Sequence, residues 1–197
     1  MGIFDLFRGR PPIRDLPELA DFIDRNAAFL VQKGIYEYSR ARAGHYAKVL
    51  FSEPAFQYAL EKSRWRAYPL GLAMVAEAVE AVLGRQSLAV LGSLVLSVFD
   101  RYPVPAALDH SQWNEARCEL KRRIGLIGIH QAKPVKDIPE PFVEAYFALL
   151  PIEKKLRASE FPTIRNYLRV SLCNIHDEFL KRADMSTLAT ILSAAQR

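Results

Sequence analysis

Apolar side chains recur at intervals of three and four residues along most of this chain, the spacing that gathers them on one face of an α-helix. The stripe is clearest over about 160–182, where it comprises Phe161, Ile164, Leu168, Leu172, Ile175 and Phe179. Residues suited to N-capping predict further helix starts near Asp15, Ser52, Asp109 or Ser111, and Asp184 or Ser186. The sequence therefore predicts an all-α protein.

The middle of the chain departs from this amphipathic pattern, because two successive segments are apolar on nearly every side. Over 70–83 the only charged residues are Glu77 and Glu80, and 88–99 carries none. A helix that is apolar all round lies in a protein core or in a membrane. A bilayer requires about 20 apolar residues, so we expect a buried apolar helical hairpin over about 70–99. A β-strand over 88–99 stays open as an alternative.

Glycine and proline residues indicate where helices end. Pro54 and Pro69 are expected to divide the chain into helical lengths, and Gly34 to end or bend the first helix. No repeat or low-complexity tract divides the sequence, and 197 residues suit one domain. We therefore predict an N-terminal arm over 1–14 and a single helical domain over 15–197, a bundle of about seven to nine helices around the apolar hairpin.

Composition and charge narrow the class of protein only a little. The chain is 50% hydrophobic and 25% charged, as in ordinary globular proteins. Its net charge of +5 permits an anionic partner. The basic residues are scattered, however, and only the segment 62–68, KSRWRAY, interleaves them with aromatic rings, so nucleic acid is not favoured. The two cysteines lie outside any CxxC pair, which is typical of a reducing compartment. Over 1–12 the apolar residues precede the arginines, the reverse of their order in a secretory signal. Both features predict a cytoplasmic protein.

Residues that carry chemistry are sparse. No histidine has a glutamate three residues before it, and HExxH, GxGxxG and P-loop motifs do not occur in the sequence. We therefore predict no metal and no cofactor. Cys173, His176 and Asp177 lie close together on a predicted helix and are the only candidates for an enzyme site. The polar face of an amphipathic helix is the simpler explanation for them, so we predict no catalytic residue.

The polar residues of greatest interest are the two glutamates of the apolar segment. Glu77 and Glu80 are one turn apart and share a helix face. A carboxylate is almost never fully buried without a partner, so a solvated edge of the helix is the first interpretation. The second is a polar spot in an apolar pocket, with Arg64 or Arg66 nearby, and these four residues are the predicted contacts for a ligand or partner.

The N-terminal arm has its own pattern. A short apolar patch has a basic edge: Arg8 and Arg10 follow Ile3, Phe4, Leu6 and Phe7. Such a patch can rest on an anionic membrane surface, although one or two turns of helix bind a membrane weakly. Packing across its own bundle, or across a second subunit, is an equally good interpretation.

Together these features favour a non-catalytic helical interaction or scaffold protein that associates with itself or with a protein partner. The alternative is a helical carrier for an apolar or amphiphilic ligand at a membrane surface. An enzyme with an unfamiliar site is the third hypothesis.

Overall fold

The computed structural model describes residues 11–127 and 133–195, and the apolar patch predicted at Ile3, Phe4, Leu6 and Phe7 lies outside them. The described backbone is helical and contains no strand, which confirms the all-α prediction. Short 3-10 turns join several of the helices. The α-helices are Leu16–Ala43 (α1), Ala47–Leu50 (α2), Pro54–Leu83 (α3), Leu88–Phe99 (α4), His110–Ile124 (α5), Glu140–Ala148 (α6), Lys154–Arg157 (α7), Phe161–Arg182 (α8) and Met185–Ala194 (α9).

Three of the predicted helix starts are confirmed by their caps. Asp15 accepts a 2.7 Å hydrogen bond from the N–H of Glu18 at the start of α1. Asp109, rather than Ser111, caps α5 and forms a capping box with Gln112. Asp184 caps α9 by accepting from the N–H of Thr187. In each case a carboxylate satisfies a backbone donor that has no partner within the helix.

The start of α3 differs from the prediction. Glu53, not Ser52, occupies the N-cap position, and its side chain makes no capping hydrogen bond. The hydroxyl of Ser52 instead donates to the carbonyl of Val49 at 2.7 Å, which closes the end of α2. Pro54 is the first residue of α3, where its missing N–H costs nothing.

Pro69 does not end a helix, which corrects the predicted boundary. It lies buried inside α3, a helix of 30 residues. A proline within a helix costs about 3 kcal/mol. The burial of Pro69 and of Tyr68 and Leu70 beside it accounts for the continued helix, because packing of a long apolar face outweighs a single broken backbone bond.

The apolar hairpin exists, but its second arm is less buried than predicted. α3 turns at Gly84 and α4 returns along it, so that the rings of Tyr68 and Phe99 lie 6.4 Å apart. α4 is a helix, which excludes the strand alternative. Its inward face is buried and begins at Leu91, whereas Ala89 on the outward face is exposed. One face of α4 is therefore left without a covering helix in the described residues.

The long helices α1, α3 and α8 carry most of the core. α1 crosses α3 so closely that a Cβ atom at Gly71 would lie 2.9 Å from the carbonyl oxygen of Ala27. α8 runs antiparallel to α1, with the rings of Phe22 and Phe179 at 5.2 Å and the hydroxyl of Tyr167 bonded to the carbonyl of Leu30. α5 returns along α4.

Gly34 does not end α1, which corrects the first of the two alternatives predicted for it. The helix continues to Ala43, and Gly34 is buried where two tyrosine rings cross it. The hydroxyls of Tyr146 and Tyr167 reach past the glycine to bond α1 carbonyls at 3.1 Å and 2.8 Å. The glycine is therefore required for close packing, not for a turn.

The described part of the predicted N-terminal arm packs on the bundle. Ile13 is fully buried and exchanges backbone hydrogen bonds with Arg182 and Asp184 at 2.8 Å and 2.9 Å. The guanidinium of Arg182 also donates to the carbonyl of Pro11 at 3.0 Å. Residues 11–14 are thus held at the junction of α8 and α9.

Candidate functional site

Five aromatic rings form a continuous cluster between α3, α4 and α5. The rings of Trp65 and Tyr102 lie 5.3 Å apart, and Trp65 and Trp113 lie 5.8 Å apart. Phe99 stacks on Trp113 at 4.2 Å and faces Tyr68. These separations fall in or close to the range at which two aromatic rings attract each other. That attraction adds to the stabilisation from the surface area that the rings bury. We call Trp65, Tyr68, Phe99, Tyr102 and Trp113 the aromatic cluster; it contains both tryptophans of the chain.

A carboxylate from α1 fixes two of these rings. Asp24 accepts hydrogen bonds from the hydroxyl of Tyr68 at 2.7 Å and from that of Tyr102 at 2.9 Å. Its side chain is only 18% exposed, and the guanidinium of Arg101 lies 3.9 Å away. Burial and the neighbouring carboxylate raise the pKa of both tyrosines, so each remains a neutral donor at physiological pH. Asp24 of α1 thereby fixes the hydroxyl end of the Tyr102 ring.

An apolar groove opens beside the half-buried rings of Trp65 and Tyr102. One wall is a face of α3, and the other is the loop between α4 and α5. The hydroxyl of Tyr58 donates to the carbonyl of Ala107 at 3.2 Å and ties the two walls together. The groove has a volume of about 670 Å³. We call it the aromatic groove; its lining is Pro54, Gln57, Tyr58, Glu61, Trp65, Tyr102, Pro103, Pro105, Ala106 and Ala107.

A second, smaller cavity lies on the α1 side of the same rings. Its volume is about 220 Å³, and Trp65 and Tyr102 line both spaces. Gln32 and Arg64 are its polar lining residues apart from the tyrosines. The two half-buried rings are therefore accessible from two sides, whereas Tyr68, Phe99 and Trp113 are buried beneath them.

Of the four residues predicted to contact a ligand, only Arg64 lies at the aromatic cluster. Its guanidinium carbon is 4.9 Å from the centre of the Trp65 ring, and it forms an ion pair of 2.8 Å with Glu61. Arg66 is exposed. Thirteen residues of one helix separate Arg64 from Glu77, about 20 Å along the axis. The structure therefore does not bring these arginines next to the glutamates, and whether any of the four contacts a ligand or partner stays a prediction.

The two glutamates occupy separate environments at the other end of α3. Glu77 is half-buried and forms an ion pair of 3.6 Å with Lys133. Burial raises the pKa of Glu80, and the nearby Arg85 opposes the rise. Neither carboxylate lines the aromatic groove. Whether Glu77 or Glu80 contacts a ligand stays a prediction.

The candidate enzyme residues lie on the outer side of α8. The imidazole Nδ1 of His176 is 3.4 Å from a carboxylate oxygen of Asp177, which is exposed. Cys173 is half-buried one turn away. In the described residues no group of three or more metal-ligating side chains comes together.

Sequence reasoning identified Trp65 and Tyr68 in the KSRWRAY segment but not the rest of the cluster. Asp24, Tyr102 and Trp113 come from other elements, and no local pattern relates them to Trp65. Comparisons of the chain with protein-family models, with curated proteins and with solved structures find no match. Among the described helices, none is sufficiently long and apolar to cross a bilayer.

Proposed function

We propose that this protein is a non-catalytic interaction protein that binds an extended, apolar segment of a protein partner in the aromatic groove. The observation that supports this is the groove itself, whose 670 Å³ volume falls in the range of functional binding sites. Tyrosine and tryptophan, which line it, are enriched at protein interfaces. Its described lining contains no cysteine, histidine, serine or lysine, and its carboxylate, that of Glu61, forms an ion pair with Arg64.

The rigidity of the groove supports binding as well. Tyr102 is held by Asp24, and Tyr58 is held by Ala107. A binding surface that is already ordered loses little conformational entropy when a partner arrives, so more of the contact energy appears as affinity.

Selection from a displayed library of random dodecapeptides tests the proposal. The protein serves as the target, and Ala106→Arg fills the groove, because Ala106 is exposed in its lining. Ala41→Arg, at an exposed position of α1, is the matched control. We expect enriched peptides that bind the native chain and the control but not Ala106→Arg. Enrichment of no groove-dependent peptide would overturn the proposal.

Self-association is a second proposal, and α4 favours it. This helix has no charged residue over its 12 positions, and Ala89 is exposed on the face that no described helix covers. Half-buried Leu94 and Leu96 border that face. A second copy could pack there without like-charge repulsion, since the face is uncharged.

Light scattering coupled to gel filtration tests this proposal. We expect a dimer that Ala89→Arg converts to monomer and that the control Ala41→Arg leaves intact. A monomeric native chain at the highest soluble concentration would contradict self-association.

A further inference from the structure

The face of α3 that lines the aromatic groove has a regular repeat. Four lining residues are spaced by four, three and four positions, so they form one stripe along the helix: Pro54, Tyr58, Glu61 and Trp65. Tyr58 and Trp65 are two turns apart, about 10.5 Å along the axis. A polyproline II helix completes a turn in three residues of about 3.1 Å each, or about 9.3 Å. The two rings are therefore spaced to contact successive turns of such a helix.

The hydrogen-bond donors of the groove are largely occupied. The hydroxyl of Tyr58 donates to the carbonyl of Ala107, that of Tyr102 to Asp24, and the amide of Gln57 to the carbonyl of Phe51. A bound segment therefore finds few donors here for its own carbonyl groups, and a carbonyl buried without a partner costs free energy. A polyproline II helix makes no internal hydrogen bonds and keeps its backbone solvated, so its carbonyls do not depend on donors from the lining.

The charge of the groove points to a basic residue in the segment. Glu61 is the one charged side chain in the described lining, and it is 49% exposed. Glu53, also exposed, lies immediately before Pro54, the first residue of the stripe. The chain as a whole carries a net charge of +5, so this acidic character is local. Arg64 pairs with Glu61 from outside the groove lining, which leaves carboxylate surface for a second cation.

We propose that the partner segment is a polyproline II helix with a basic residue at one end, its prolines against Tyr58, Trp65 and Tyr102 and its cation beside Glu61. The proposal rests on the aromatic groove being the interaction site, as argued above. The distance from Pro54 to Trp65 along α3 is about 16 Å, which matches about five residues of polyproline II helix. The minimal ligand is therefore a hexapeptide of one basic residue and five prolines.

Titration of the full chain with three acetylated hexapeptides tests this assignment. The first is one arginine followed by five prolines, and the second replaces its arginine by glutamate. The third is one arginine followed by alternating valine and threonine, which is extended but favours a β-strand over a polyproline II helix. Binding is followed by tryptophan fluorescence, since both tryptophans lie in the aromatic cluster, and by the backbone amide shifts of the 15N-labelled protein.

We expect the arginine–proline peptide to bind and to shift the amides of the groove. Binding should disappear in Ala106→Arg and persist in Ala41→Arg. The glutamate–proline peptide should bind about fivefold more weakly, as for a partly exposed ion pair. Glu61→Gln, a substitution at an exposed position, should remove that difference.

Three results would overturn the proposal. If the valine–threonine peptide bound the groove as well as the arginine–proline peptide, the groove would remain an interaction site but not one for polyproline. If the arginine–proline peptide bound equally to Ala106→Arg, its site would lie elsewhere. If no hexapeptide shifted the groove amides while the dodecapeptide selection succeeded, only the polyproline assignment would fail; if both failed, the proposed function would fail as well.

Discussion

The replacement of Gly34 by alanine tests the packing of α1 against its two tyrosines. A Cβ atom at this position would lie 2.5 Å from a ring carbon of Tyr167 and in direct conflict with the hydroxyl oxygen of Tyr146. Both hydroxyls bond α1 carbonyls, those of Leu30 and Val31. Neither ring can move away from the new methyl group without weakening its hydrogen bond, because each bond passes directly over the glycine.

The free energy of unfolding should therefore fall, although alanine is the better helix former. Alanine gains about 1 kcal/mol over glycine within a helix. Overpacking a filled core costs about 1–3 kcal/mol, and a buried hydroxyl left without its acceptor costs about 1–3 kcal/mol. Tyr146 is fully buried, so that penalty applies to it. The net loss is about 3 kcal/mol, which for a chain of this size lowers Tm by about 6–12 °C.

Urea unfolding followed by circular dichroism measures this loss, with Gly125→Ala as the matched control. A Cβ atom at Gly125 would lie at 3.4 Å from its nearest neighbour, the carbonyl oxygen of Arg122, so that variant should be nearly neutral. Tyr146→Phe removes the oxygen nearest to the new methyl group, so the double variant should lose less than the sum of the single variants. Equal stabilities of Gly34→Ala and Gly125→Ala would refute the reasoning.

Three further predictions concern caps and titrating groups. Asp109→Ala removes the capping box with Gln112 and should cost about 1 kcal/mol of unfolding free energy in urea titrations. Burial raises the pKa of Glu80, so its neutral form stabilises the fold below pH 4.5 and that contribution is lost as the pH rises through the folded value. Glu80→Gln should therefore raise the free energy of unfolding at pH 7 by up to about 0.5 kcal/mol, seen as a higher Tm, and should have no such effect at pH 4. Burial raises the pKa of Tyr167 to about 12 and that of Tyr68 further. The contribution of these tyrosines to stability should therefore be constant up to about pH 10, the ordinary tyrosine value, and decline between pH 10 and 12. Tyr167→Phe should make that decline shallower in thermal melts recorded across the range.

The helices could be predicted because their signals are local. Helical periodicity and a capping carboxylate are contained within a few residues of sequence, so the starts at Asp15, Asp109 and Asp184 agree with the structure. The errors occurred where distant packing decides the local conformation. Pro69 and Gly34 are both residues that interrupt helices in isolation, but here each is buried by side chains from other elements.

The extent of burial could be predicted less well than helix position. The uncharged segment 88–99 indicated a buried helix, yet only the face that begins at Leu91 is covered. The composition of a segment shows that its helix is apolar, but it does not show how many other helices pack against it. The exposed face carries the small residues Ala89, Ser93 and Ser97, spaced four apart. Their spacing places them on one side of the helix, away from the apolar residues that begin at Leu91.

The candidate site was the least predictable part, because its residues are brought together only by the fold. Trp65 and Tyr68 are close in sequence, but Asp24 is about 40 residues before them and Trp113 about 45 residues after them. The pattern of α3 alone shows aromatic and acidic residues on one stripe. It becomes a groove only when the α4–α5 loop supplies Tyr102 as the opposite wall.

The same rings serve the core and the groove, and this explains why the site is both stable and open. Phe99 and Trp113 are buried and anchor the cluster, while Trp65 and Tyr102 above them remain half-buried. Asp24 accepts hydrogen bonds from the hydroxyls of both Tyr68 and Tyr102, so one carboxylate holds the buried and the accessible tyrosine. A ring that must stay accessible is normally free to collapse onto its neighbours. Here the hydrogen bond from α1 prevents that collapse, and the rigidity of the core is transmitted to the surface on which we expect the partner segment to bind.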